Sequence, residues 1–221
     1  MIVNVKGDII PNDYKSIYDW FGFDSCCPRD ITSAIEAKPE GEKLEVKINS
    51  PGGVVTAGQE IYTLLADRDD VDIEIEGLAA SAASVIAMAG HSSISPVGML
   101  MVHRCSTSGV SGNRNDMKKM AKDLSKIDEA LANAYARKSG LDKESILDLM
   151  DKSTWLTAED AVDFGLVDEI TGAESPVATA ALDGLSVTPD MIEEYKAHLA
   201  KEQAREAEKQ EILKDIDAYG V

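Results

Sequence analysis

The chain has 221 residues, with 22 Lys and Arg against 40 Asp and Glu, a formal charge of −18. So acidic a balance excludes general binding to nucleic acid or anionic membranes, both of which need basic patches. No apolar run reaches membrane-spanning length and no basic-then-apolar leader opens the sequence, so a cytoplasmic location is expected. Cys26 and Cys27 are adjacent and Cys105 stands alone, giving neither a disulfide framework nor zinc spacing. Free thiols in a reducing compartment follow, and no metal or other cofactor is expected.

In chain order, Val3 and Val5 open a first strand and Leu44, Val46 and Ile48 mark a second. The second runs into a Gly-rich turn, Asn49-Ser50-Pro51-Gly52-Gly53, and then a predicted helix, Thr56 to Ala66, with Ile61, Leu64 and Leu65 on one face. The turn lacks a following Lys-Ser or Lys-Thr pair, so it is no phosphate-binding loop. Val71, Ile73 and Ile75 alternate with Asp72, Glu74 and Glu76, the period of two of a third strand. Strand, helix and strand make a βαβ unit, hence a parallel sheet with a right-handed crossover.

Gly77 to Ser84 is a run of tiny residues that ends this third strand and opens an uncharged helix, Ala82 to Ala89, stopping at Gly90. Both Gly-rich stretches then fall at carboxyl ends of strands, where open α/β sheets place ligands. Ser81 stands at the helix start, where unpaired N–H groups and the helix dipole favour developing negative charge. Two readings stay open for it: a helix cap, or a nucleophile. A nucleophilic serine needs a base, and the chain has His91, His103 and His198. His198 belongs to a charged C-terminal stretch and His91 to an exposed polar turn. His103 ends the apolar strand Val97 to Val102, on the same rim as Ser81.

Met117, Met120, Leu124, Ile127, Leu131 and Tyr135 form the apolar stripe of a helix from Asp116 to Lys138, and its other faces carry charges that include Lys118, Lys119 and Asp128. Beyond about residue 172 the composition changes to a small, polar linker, and Pro189 opens a charged helical tail rich in Glu, Lys and Ala. The expected organisation is one domain over residues 1–172, long enough to bury a full core, and an acidic tail over 173–221.

Four ordered stretches resemble the proteolytic subunit of the Clp protease, especially its shorter phage and prophage relatives. Asn49 to Gly58 looks like that family's oxyanion loop and Gly77 to Ser81 like its nucleophile motif. Met101-Val102-His103 looks like its histidine strand, and Trp155 to Asp168 like its closing segment. The resemblance implies the Clp protease/crotonase-like α/β fold of repeated β-β-α units with a projecting handle helix. It implies Ser81 as nucleophile, His103 as general base, the amides of Gly53 and Ala82 as oxyanion hole, and Val54 and Val55 along a groove that takes the substrate as an added strand. Cys105 to Arg114 would be a substrate-binding strand, and the Asp116–Lys138 helix the handle that joins two rings. A homo-oligomeric ring, a heptamer or double ring, is implied in turn. Polypeptides, and in a prophage setting scaffold or capsid precursors, would be the substrates.

The family's acid usually lies two residues before the aromatic of the closing segment, and there this sequence has Ser153, before Trp155. Asp151 is the substitute acid expected if the loop shifts; Ser153, a water or a backbone carbonyl are the alternatives. The chain starts its first strand almost at once, without the segment that in the cellular subunit forms axial loops under an ATPase ring. No obligatory ATPase partner is therefore expected. Two other readings stay open: a crotonase-like acyl-thioester enzyme, and a non-catalytic ring-forming capsid assembly factor. A serine-lysine site using Lys118 or Lys119 would require the handle to fold back.

Overall fold

Alternation of apolar and charged residues drives the central strands, and in the computed structural model, which describes residues 1–172, they lie side by side and parallel. The strands are β1 (Ile2–Ile9), β2 (Ser25–Cys26), β3 (Leu44–Gly53), β4 (Val71–Ala80), β5 (His91–Ile94), β6 (Met99–Val102), β7 (Thr154–Leu156) and β8 (Glu169–Ile170). Their order is β2-β1-β3-β4-β5-β8. β6 pairs parallel with the last residues of β4, and β7 runs antiparallel to β6. The helices are α1 (Lys15–Phe21), α2 (Pro28–Ala37), α3 (Val55–Leu65), α4 (Ala82–Ala87), α5 (Arg114–Ser139), α6 (Lys143–Asp151) and α7 (Ala158–Asp163). The fold is the mixed α/β architecture expected of the Clp-type resemblance.

Val46, Ile48, Ile73 and Ile75 are buried against Ile61, Leu65, Val85 and Ile86 of the covering helices α3 and α4. The alternate residues carry charge instead. Lys47 meets Glu74 at 3.0 Å, linking β3 to β4, and Lys6 meets Glu76 at 3.0 Å, linking β1 to β4 across β3. Such exposed pairs contribute little individually, about 0–1 kcal/mol each, but they oppose the lateral repulsion of so many carboxylates.

Several boundaries differ from expectation. The Gly-rich stretch after Ile48 is not a turn: β3 continues through it to Gly53, with a register shift against β4 after Ile48. His91 does not sit in a polar turn but begins β5, exposed as expected. The serines beside it hid that strand; Ser92 is fully buried because its N–H donates to Asp168 at 2.7 Å. β6 starts at Met99, and Val97 before it is 86% exposed. Cys105 to Asn113 forms no strand, since no neighbouring strand within the described residues supplies it a ladder. The expected tail over 173–221 lies outside the described residues. By its contacts the chain divides into two units, Met1–Glu174 and Ser175–Val221.

α5 is longer than its apolar stripe suggested. Asn113 caps it through a capping box with Asp116, and Gly140, at φ 74°, ends it. Its 26 residues span about 39 Å at 1.5 Å per residue. Only its C-terminal half is buried, through Asp128, Leu131, Ala132, Ala134 and Tyr135. No helix among the described residues is long and apolar enough to cross a membrane.

Candidate active site

Ser81 occupies the junction between β4 and α4 with φ 55° and ψ −124°. That conformation is poor for any residue with a side chain, at a cost of about 1–3 kcal/mol, and persists only where the surroundings enforce it. Here they do. The Ser81 N–H donates to the Met101 carbonyl at 3.0 Å, and the Ser81 carbonyl accepts from the N–H of Ser84 at 3.0 Å. The same carbonyl accepts from Ser84 Oγ at 2.6 Å, and Ser84 Oγ lies 2.7 Å from the Tyr135 hydroxyl. With the Ser84 proton committed to Ser81, Tyr135 is the donor in that second bond. Burial pushes the Tyr135 phenol up, so it keeps its proton.

The strain aims the side chain away from the helix. Ser81 makes no side-chain cap hydrogen bond, so the capping role is not the one this structure shows. Its Oγ lies instead 2.7 Å from Nε2 of His103. The contact follows from register: Ala80 pairs with Met101, so β4 and β6 end beside each other. Nε2 can accept the Ser81 proton when Nδ1 carries the ring hydrogen.

Asp151 does not orient that ring. It is the last residue of α6, and both its oxygens are held by Arg104, Nε at 2.7 Å and Nη2 at 2.8 Å. Arg104 is the better partner because its planar fork matches a carboxylate in two parallel bonds. The bidentate guanidinium holds the Asp151 carboxyl below the usual carboxylate range. Among the described residues the His103 ring has one hydrogen-bond partner, Ser81. Ser153 lies two residues past the Arg104-bonded end of α6, at φ 48°, and its N–H donates to the Met150 carbonyl at 3.1 Å. Its hydroxyl has no partner among the described residues.

The glycine pressed against the nucleophile is Gly52, which no local sequence signal separates from Gly53. At φ 102°, a Cβ on it would lie 2.7 Å from the Ala80 carbonyl oxygen and 3.0 Å from the Ala82 nitrogen. Gly53 packs on the other side, where a Cβ would fall 2.2 Å from the Ile9 carbonyl oxygen. Ser50 shapes this stretch: buried, its hydroxyl donates to the Gly7 carbonyl at 2.6 Å and accepts the Gly52 N–H at 3.0 Å. Val55, Gly58, Val85, Cys105, Leu131 and Tyr135 wall a narrow, largely apolar cleft beside Ser81, Ala82 and His103. Val54 is 39% exposed, and its N–H donates to Ile9 at 2.8 Å. Burial, reinforced by Asp128, pushes the Cys105 thiol up to about 12, so it is no competing nucleophile. Lys118 and Lys119 lie on the exposed first turns of α5.

Asp128 falls outside the apolar stripe of its helix, yet it is 5% exposed. A single Asp among alternating charges gives no signal in sequence that it turns inward. A larger open cavity, lined in part by Glu45, Arg68, Asp72 and Glu74, contains neither Ser81 nor His103.

A mostly parallel α/β sheet with a serine and a histidine in contact at the carboxyl ends of its strands has the layout of a serine hydrolase. The sequence matches the Clp protease family over residues 31–174, more than half of the chain, and the protein belongs to that family. It is a Clp-type peptidase; the family is of the serine type, acts on polypeptides and usually assembles as rings.

Proposed function

We propose that the protein is a serine endopeptidase in which Ser81 is the nucleophile and His103 its general base. The observation that carries this is the 2.7 Å contact between Ser81 Oγ and His103 Nε2, made by a serine held in a strained backbone conformation. Ser81 Oγ attacks the scissile carbonyl while His103 takes its proton. The tetrahedral oxyanion collapses with that proton passed to the leaving amine, and water, deprotonated by the same imidazole, releases the acyl group. The close packing of Gly52 on Ala80 and Ala82 supports an oxyanion hole from the amides of Gly53 and Ala82, each donor of such a hole being worth about 3 kcal/mol in the transition state. Val54 and Val55 flank the groove that takes the peptide as an added strand.

With no carboxylate on His103 among the described residues, the enzyme is slow rather than dead; loss of the acid in a Ser-His-Asp site reduces kcat by about 10⁴. The substrates are scaffold or capsid precursor proteins of a prophage, processed in the host cytoplasm without an ATPase. The family match and the use of both Ser81 and His103 favour this over an acyl-thioester enzyme, which has no need of that contact. Hydrolysis of a fluorogenic peptide library by the purified chain tests the reading. Turnover abolished in both Ser81→Ala and His103→Ala is expected; turnover unchanged in Ser81→Ala overturns it.

A further inference from the structure

α5 is bonded at two points to the residues that flank the Ser81–His103 pair. Asp128 and Tyr135 are seven residues apart, about two turns at 3.6 residues each, and so share one face. Both are buried, at 5% and 2% exposed, whereas the first turns of the helix are open. Asp128 Oδ1 accepts the Cys105 N–H at 2.7 Å, two residues past His103, and its Oδ2 lies 3.6 Å from Arg104 Nη1. Arg104 is pinned on its other side by Asp151, and its N–H donates to the Met150 carbonyl at 3.2 Å. Tyr135 donates to Ser84, which holds the Ser81 carbonyl at 2.6 Å.

A buried carboxylate is costly unless its hydrogen bonds are made, and among the described residues Asp128 makes its bonds to the backbone and side chain that follow the histidine. We infer that Asp128 and Tyr135 are positioning residues: α5 sets the distance between Ser81 and His103 by clamping the histidine segment through Asp128 and the serine backbone through Tyr135. This rests on the peptidase reading above. Among the described residues no carboxylate orients the imidazole, so within them alignment falls to these backbone clamps. An error of about 1 Å at a reacting pair can cost about 10²-fold in rate.

The test compares full-length Asp128→Ala, Asp128→Asn and Tyr135→Phe with wild type and Ser81→Ala. The readouts are kcat and KM on a fluorogenic peptide, the rate of Ser81 labelling by a fluorophosphonate, and amide exchange at Cys105. Asp128→Ala is expected to lower kcat and the labelling rate by about 10- to 10²-fold with little change in KM, and to speed exchange at Cys105. Asp128→Asn retains the acceptor for the Cys105 N–H and recovers part of the loss. Tyr135→Phe lowers kcat several-fold, also without a KM effect. Should Asp128→Ala fail to fold, the other two variants, which change few atoms, carry the test. Wild-type kcat and labelling in folded variants, or a loss confined to KM, overturns the inference and leaves the peptidase reading standing. Equal turnover by wild type and Ser81→Ala overturns that reading and the inference with it.

Discussion

At the residue scale the site depends on a backbone conformation as much as on two side chains. Ser81 is held at φ 55° because Gly52 approaches it closely, Met101 binds its N–H and Ser84 binds its carbonyl. Gly52→Ala would set a Cβ 2.7 Å from both the Ala80 oxygen and Ser81 Cβ, so backbone must shift. It is expected to reduce peptide turnover by about 10²-fold while leaving a folded protein, as read by steady-state kinetics beside circular dichroism. Turnover at the wild-type level would show that the approach of Gly52 does not shape the site. Ser81 and His103 could be singled out from sequence because a strand end followed by tiny residues, and a histidine closing an apolar run, are local signals. Gly52, Ser84 and Asp128 could not. Their roles arise from contacts across strands and helices, such as Asp128 on the Cys105 amide, and no short-range pattern encodes those. Asp151 misled for a related reason: proximity in sequence to position 153 says nothing about Arg104, which takes both its oxygens.

At the element scale, the strands with clean alternation, β3 and β4, and the helices with apolar stripes, α3 and α5, were legible because side-chain period reports burial directly. α1, α2, β2, β5 and β8 were not. β5 and β8 are short and polar, and they exist because Ser92 and Asp168 satisfy each other across 76 residues of chain. Asp168 also pairs with Lys138 near the end of α5, tying that helix to the edge of the sheet. Burial pushes the Asp168 carboxyl up, but Lys138 and the Ser92 N–H outweigh it and hold the group below its usual range. A carboxylate with a depressed folded-state pKa contributes stability that is complete above its unfolded value, about 4, and is lost as pH falls through the folded value. Asp168→Asn should therefore lower Tm at pH 7 and flatten the fall of Tm below about pH 4, read by thermal melts across pH. A parallel downward shift of the whole curve would show that Asp168 is not part of the acid lability.

On the scale of the whole molecule, α5 has one half packed in the core and the other half open. Its buried half carries Asp128 and Tyr135, and its open half presents Met117, 39% exposed, and Ile127, 36% exposed. Those side chains are apolar and unpartnered within the described residues, as a helix joining two rings face to face would require. Met117→Asp with Ile127→Asp is expected to halve the mass of the assembly in analytical ultracentrifugation; an unchanged mass would remove α5 from the ring contact. The family match covers residues 31–174, so the aromatic surface of α1, with Trp20 79% exposed, belongs to the part of the chain the match does not reach. The central claim, that His103 activates Ser81, is tested most directly by fluorophosphonate labelling followed by mass spectrometry of the intact chain and its peptides. One adduct, on Ser81, forming at least about tenfold more slowly in His103→Ala, is the result expected of a serine activated by its base. No adduct on wild type, or an equal rate in His103→Ala, would contradict it.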